Sequence, residues 1–219
     1  MLGKNSAFLT KFRDYGTLKY HYKIKQNHLS YMQKQWKILR SVAKESLRLF
    51  EAKYNYLINP RNGKEVEVVV LSGNDAVNVM AITKENKVIM IRQYRFGINN
   101  YTTEIPGGLV DKGEDILLAA QRELREETGY SGENWQYLGK IAQNPVFQDA
   151  YIHHYLLTDA EKTHSTQFDE AEDIEMIEMD LGEMRRGLAA CKFQHPHTVS
   201  ALVLGLEKIK NAKQITFGS

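Results

Sequence analysis

The amino-acid sequence predicts an α/β (α+β) sandwich built on a mixed β-sheet, with a strand-rich extension on its N-terminal side. Three observations predict it. Short β-branched runs bounded by turn residues recur between Val66 and Leu157. A periodic helical stretch, 114–128, stops at Gly129, a residue suited to end a helix. Strands and helices do not alternate regularly, which argues against a repeated βαβ unit.

In chain order, residues 1–35 read as a basic extension, 36–72 as a strand-rich segment and 73–219 as the main domain. Trp36 to Leu57 is strand-rich, and Asn59-Pro60-Arg61-Asn62-Gly63 reads as a turn. Val66 to Leu71, Ala76 to Ile82 and Lys87 to Tyr94 read as strands, followed by the helix at 114–128. Trp135 to Ile141, Tyr151 to Leu157 and Ile174 to Met179 are further strands, the last after an acidic loop. Leu181 to Ala190 and Thr198 to Lys210 read as helices.

A chain of 219 residues with 42% hydrophobic and 26% charged residues can bury a sizeable core and is not expected to be disordered. Its single cysteine, Cys191, allows no intrachain disulfide, so a reducing, cytoplasmic setting is expected. No apolar run has membrane-spanning length: Val199 to Leu206 is interrupted by Ser200 and Gly205 and reads as a buried helix. The N-terminus has basic residues without an apolar run behind them, so it is not read as a signal peptide. The net charge of +2 is uneven. Residues 1–40 hold nine Lys or Arg and one acid, a local +8, and the remainder carries −6. A basic arm with Tyr15, Tyr20, Tyr22 and Tyr31 could touch nucleic acid. A solvated extension or a dimer-packing arm accounts for it equally, and nucleic acid is not expected as a partner.

The helix at 114–128 carries the chemistry. Leu117, Ala120 and Leu124 form one apolar stripe, which predicts a buried face. Glu123, Glu126 and Glu127 stand at i, i+3 and i+4, so their carboxylates are expected to converge within a turn. Such charges repel unless neutralised. Mg²⁺ suits them because it takes carboxylate oxygens and leaves positions for substrate phosphates. Arg122 can orient a carboxylate through its planar fork. A solvated acidic helix face would explain the same three glutamates.

The wider spacing favours chemistry. Gly108, Glu114, Arg122, Glu123, Glu126, Glu127 and Gly129 match every fixed position of the Nudix box, and the chain resembles the Nudix hydrolases. A chance match at a given start is about one in 10⁸. The box's final aliphatic position is Tyr130 here, a bulky half-polar residue expected to be tolerated. The resemblance implies a Nudix-type α/β/α sandwich that hydrolyses a nucleoside diphosphate linked to another group. It implies that Glu123, Glu126 and Glu127 are metal ligands with the Gly107 carbonyl, that Glu114 supports the site, and that Arg122 holds a ligand glutamate. Gly107-Gly108 lets the chain turn tightly and approach metal and phosphate.

Outside the box, from about Trp36 to Lys208, the chain resembles the ADP-ribose pyrophosphatase branch, which cleaves nucleoside diphosphate sugars. Ile91-Arg92-Gln93-Tyr94-Arg95 resembles that branch's strand before the box, so Arg95, with Arg92, would pair with the diphosphate. Pro145 stands where the branch often has a proline. In the acidic loop Phe168 to Glu175, Glu172 resembles a further metal ligand and Glu170 the general base; Glu114, Glu126 and Glu127 are alternative bases. The implied reaction uses on the order of two or three Mg²⁺ ions, with Mn²⁺ able to substitute, and in-line attack of water on one phosphorus. ADP-ribose would yield AMP and ribose 5-phosphate. No covalent intermediate is needed, so Cys191 reads as a packed thiol. The branch implies a homodimer through the 36–72 segment. Alternatives are another Nudix substrate (GDP-mannose, a dinucleoside polyphosphate, an oxidised nucleotide), a non-catalytic nucleotide-sugar sensor, and an RNA-associated protein led by the basic arm. His153, His154, His195 and His197 have no cysteine partners at zinc-site spacing, so no zinc site is expected.

Overall fold

The computed structural model describes residues 36–168 and 173–216. The basic extension 1–35 and the two acidic-loop positions Glu170 and Glu172 lie outside the described residues.

The chain begins with strands β1 (Lys37–Ser46), β2 (Glu51–Ile58) and β3 (Glu65–Ser72), which form their own antiparallel sheet. The β2–β3 turn closes because the Gly63 N–H donates to the Asn59 carbonyl at 2.8 Å, with Gly63 at φ +70°. This sheet exposes Trp36, Ile38, Leu39, Val42, Val68 and Val69. The Leu71 N–H ties it to the Phe147 carbonyl at 2.7 Å.

The main sheet holds β4 (Ala76–Ile82), β5 (Lys87–Arg95), β6 (Asn100–Glu104), β8 (Asn134–Ala142), β9 (Tyr151–Thr158) and β11 (Ile174–Asp180). Its order is β11-β5-β4-β9-β8, with β6 paired to β5. β4 and β9 run parallel and the other pairs antiparallel, so the sheet is mixed as expected. Two short strands, β7 (Tyr130–Ser131) and β10 (Glu161–Lys162), pair separately.

Three helices complete the fold: α1 (Ile116–Thr128), α2 (Leu181–Ala189) and α3 (Pro196–Thr216). Alternation along β4 sends Val77, Val79 and Ala81 against Ala119, Ala120 and Leu124 of α1. Met80 and Ile82 point the other way, against Met184 of α2 and Ala201 and Leu202 of α3. The buried centre thus lies on both faces of β4 and β5, an α/β/α sandwich, and continuous apolar runs are what such doubly covered strands require. None of the described helices is long and apolar enough to cross a membrane.

The structure corrects some sequence expectations. Helix α1 starts at Ile116, since the Asp115 carboxylate caps the Leu117 and Leu118 N–H groups. Glu114 is therefore in the preceding loop. Strand β6 was not expected: Asn100-Tyr101-Thr102-Thr103-Glu104 is polar and becomes a strand only by pairing with β5. Cys191 is exposed and not packed. It takes φ +52° just after α2 and donates its N–H to the Leu188 carbonyl, so its position closes a helix end and fills no core. Within Val199 to Leu206, Val203 and Leu204 are exposed.

β4 and β5 pair only at Ile82 and Val88 and then separate. The 106–109 segment fills the wedge: Val79 N–H donates to the Pro106 carbonyl and Val77 N–H to the Gly108 carbonyl, each at 2.9 Å. Those bonds place the candidate site.

Candidate active site

Two glycines form the floor. A Cβ on Gly107 would lie 2.2 Å from the Val77 carbonyl oxygen and 2.6 Å from Asn78 Cα, inside the backbone of β4. A Cβ on Gly108 would lie 2.5 Å from Glu123 Oε1. Only glycine lets the chain run this close to both the central strand and a box carboxylate. The Gly107 N–H donates to Glu127 Oε2 at 2.8 Å, and Glu127 is buried.

Arg122 organises the box. Its Nε and Nη2 donate to the two Glu114 oxygens at 2.9 Å each. Its Nη1 donates to Glu123 Oε1 at 2.8 Å and Glu126 Oε2 at 3.2 Å. The Leu109 carbonyl accepts from Nη2 at 3.1 Å. Hydrogen bonding from Arg122 and then from the Asp111 N–H holds the Glu114 carboxyl down at about 2. Glu114 is thus firmly ionised and tied to the arginine at both oxygens. Among the described residues the carboxylates of Glu123, Glu126 and Glu127 are not gathered into a three-donor cage. Glu123 and Glu126 turn to Arg122, and Glu127 reaches the Gly107 N–H.

Arg95 stands at the end of β5 on the wall of a cleft of about 200 Å³ bounded by Asn78, Glu104, Gly108, Gln143 and His195. Its Nε and Nη2 donate to the two Glu104 oxygens, both at 2.7 Å. Glu104 is only 2% exposed. Burial would raise its pKa, but the hydrogen bonds and charge of Arg95, with the Thr102 hydroxyl, hold it below the usual value. Arg92 lies elsewhere. It is not among the residues lining this cleft. Its guanidinium sits 4.7 Å over the Tyr101 ring and 3.5 Å from Glu175.

Beneath the floor lies a buried polar network. Asn78 donates to the His197 carbonyl at 3.1 Å and contacts His154 Nδ1 through its Oδ1 at 2.6 Å. Ser200 Oγ is 3.2 Å from His154 Nε2. Burial pushes His154 down to about 4, so at neutral pH it is uncharged and its Nδ1–H donates to Asn78. His197 Nδ1 is buried with no hydrogen-bond partner among the described residues. Glu104, Asn78, His195 and His197 were not singled out for the cleft from sequence. Only for Glu104 was a local signal present, an acid two residues before Pro106-Gly107-Gly108.

Residues 74–197 match the NUDIX domain, more than half of the chain. The chain belongs to the Nudix family. Among curated proteins this Nudix chain is 37% identical over 142 residues to a methanol dehydrogenase activator of Bacillus methanolicus, covering 64% of this chain and 77% of that protein. It is 34% identical over 121 residues to an ADP-ribose pyrophosphatase of Bacillus subtilis (strain 168), covering 55% of this chain and 65% of that protein. A crystal structure of an ADP compounds hydrolase superposes with a TM-score of 0.72 at 28% identity, over 81% of this chain and 96% of that one.

The site's donors fit the divalent cation that a Nudix box implies. Three carboxylates, from Glu114, Glu123 and Glu126, bond the Arg122 guanidinium, and Glu127 bonds the Gly107 N–H, which leaves excess negative charge on hard oxygen donors. The glycine floor, which a Cβ would fill, brings main chain against those oxygens. Tyr130 is accommodated at the last box position: it is buried, and its hydroxyl donates to Glu178 at 2.5 Å. Burial, then that bond, raises it to about 12.

Proposed function

We propose that this Nudix pyrophosphohydrolase cleaves the diphosphate of a nucleoside diphosphate sugar, with ADP-ribose, split to AMP and ribose 5-phosphate, as its substrate. The observation that carries the reading is the cleft itself. Arg95, held by Glu104 at two nitrogens, lines one cleft with Gly107 and Gly108, close enough to Glu127 to feel its charge. An arginine fixed at two nitrogens presents its remaining edge to an oxyanion with little ordering cost. The B. subtilis relative's name points to the same substrate class.

Glu123, Glu126, Glu127 and the Gly107 carbonyl would hold Mg²⁺, as two or three ions by family analogy, with Mn²⁺ able to substitute. When bound, the ions neutralise charge on the diphosphate and acidify water. Arg95 binds and orients the diphosphate. Arg122 keeps Glu123 and Glu126 aligned. The tie of Glu114 to Arg122 favours a supporting role for it over a basic one. A glutamate removes the proton from the attacking water as its oxygen bonds to one phosphorus and the bridging P–O bond breaks. Glu170 is proposed for that proton, Glu172 as a further ligand, and Glu126 as the alternative base. Arg92 would join the diphosphate contacts only by leaving Glu175 and Tyr101.

A second copy of this chain is the proposed occupant of the apolar β1–β3 sheet, whose exposed side chains include Trp36, Ile38 and Val69. The proposed setting is the cytoplasm, since Cys191 alone makes no intrachain disulfide. The deciding experiment is a product assay with Mg²⁺ over ADP-ribose, other nucleotide sugars and nucleoside triphosphates. The expected result is a higher kcat/KM on ADP-ribose than on any triphosphate. A strong preference for a triphosphate overturns the substrate assignment.

A further inference from the structure

Glu104 is a buried carboxylate outside the box, yet four groups from three residues converge on it. Oε1 accepts from Arg95 Nε at 2.7 Å and from the Thr102 hydroxyl. Oε2 accepts from Arg95 Nη2 at 2.7 Å and faces His195 Nδ1 at 3.4 Å. Arg95 and Thr102 come from the β5–β6 pair, while His195 comes from the far side of the fold, directly before α3. We propose that His195 is a positioning residue for Arg95: its imidazole closes the open side of Glu104, so that the carboxylate clamps the guanidinium in the geometry the diphosphate meets.

The inference rests on the reading of Arg95 as a diphosphate ligand. Its physics is that of a partly desolvated ion pair. Arg95 is 38% exposed at its side chain and Glu104 is 2% exposed, so water reaches the arginine and not the carboxylate. The His195 ring lines the same cleft and is one of the groups that keep water from Oε2. Removing it admits water to that oxygen, raises the local dielectric, and gives Nη2 a competitor for its partner. The guanidinium then samples orientations that no longer present one edge to the ligand. His195 acts without adding charge. Burial pushes it down to about 4, with Glu104 opposing and Arg95 reinforcing that direction, so the ring is neutral at physiological pH. Its N-terminal α3 neighbour Thr198 fixes it from behind, with Oγ1 at 3.5 Å from Nδ1 and accepting from the Ile105 N–H at 3.3 Å. The site is therefore tied to α3, an element outside the box.

The test is a double-mutant cycle on the full chain with Mg²⁺ and ADP-ribose. It pairs His195→Ala with Arg95→Ala and adds His195→Gln, which keeps an N–H donor of similar reach. A parallel titration measures equilibrium binding of α,β-methylene ADP-ribose, and melting curves report the fold. His195→Ala should raise KM and weaken analogue binding by about tenfold, with kcat changed by less than about twofold. His195→Gln should recover most of that loss. In the Arg95→Ala background, His195→Ala should add almost nothing, because the group it positions is gone. A residue that only supports the fold would lower kcat and melting temperature together and keep its full effect in that background, and this outcome overturns the proposal. So does an unchanged KM in His195→Ala when Arg95→Ala alone is impaired. If Arg95→Ala itself binds and turns over normally, the diphosphate reading of Arg95 fails, and the His195 proposal falls with it.

Discussion

Gly107 and Gly108 are adjacent, yet adding one methyl group to each should have opposite consequences. At Gly107 the new Cβ would sit 2.2 Å from the Val77 carbonyl oxygen and 2.6 Å from Asn78 Cα. These are backbone atoms of β4, the strand both cores share, so they cannot swing aside. Relief requires the 106–108 segment to lift, which strains the Val77 and Val79 ladder bonds and the Gly107–Glu127 bond. Overpacking against movable side chains costs roughly 1–3 kcal/mol, and an immovable backbone places Gly107→Ala near the top, about 3 kcal/mol. In a chain of this size that corresponds to a fall in Tm of about 6–12 °C. At Gly108 the obstruction is the Glu123 carboxylate, at 2.5 Å from Oε1 and 2.6 Å from Cδ. That side chain can rotate away. Gly108→Ala should therefore shift Tm by less than about 3 °C, while Glu123 is displaced from the proposed cation position. Its kcat/KM should fall by about tenfold or more, with a higher Mg²⁺ requirement. Differential scanning calorimetry and a magnesium titration of turnover decide the matter. Equal melting temperatures for the two variants, or full activity of Gly108→Ala at low magnesium, would refute the steric reasoning.

The other predictions follow from the same geometry. Glu127→Gln should lower turnover by about a hundredfold or more while the fold is kept, because the amide oxygen can still accept the Gly107 N–H but brings no charge to a cation; near-normal activity would remove the box from the mechanism. His154 and His195 are both pushed by burial from 6.5 to about 4, so the folded protein takes up their protons later than the unfolded chain does. The stability they carry is intact above pH 6.5 and is lost as pH falls towards 4; calorimetry in buffers of different ionisation enthalpy should find net proton uptake on unfolding near pH 5, about two protons from these histidines with a further share from His197, which burial also pushes down, and no uptake would contradict the assignment. Glu170→Gln should cut kcat with little change in apparent Mg²⁺ affinity, and Glu172→Gln should weaken that affinity as well; if both keep most of their activity across a magnesium titration, the acidic loop is only a connection. Light scattering at micromolar concentration should give the mass of a dimer, and charge substitutions at Ile38 and Val69 should shift it towards the monomer; a wild-type monomer would count against the β1–β3 interface.

The sequence by itself determined the elements whose cause is local. Runs such as Val88 to Ile91 and the stripe at Ala120 and Leu124 appear as strand and helix because periodicity and burial act over neighbouring residues. The box was legible for the same reason, since Arg122, Glu123, Glu126 and Glu127 share one helix and their spacing sets their mutual reach. What those groups bond to was not legible. Glu114 lies just outside the helix that was expected to contain it, and the Asp115 cap, which starts the helix at Ile116, two residues later than expected, frees it to fold back on Arg122. Strand β6 is polar and exists because β4 and β5 part beyond Ile82 and leave an edge to be paired. Arg92 and Arg95 stand three residues apart on β5, so strand alternation alone already turns them to opposite faces, but it does not say which face meets the cleft. Tertiary structure supplies the partners: Glu104 holds Arg95 in the cleft, while Arg92 meets Glu175 and the Tyr101 ring outside it. The physical reason is range. Helical and strand periodicity is written within a turn or two, whereas a buried carboxylate such as Glu104 takes its partners from β5 and from the start of α3, which adjoin only when the sandwich closes.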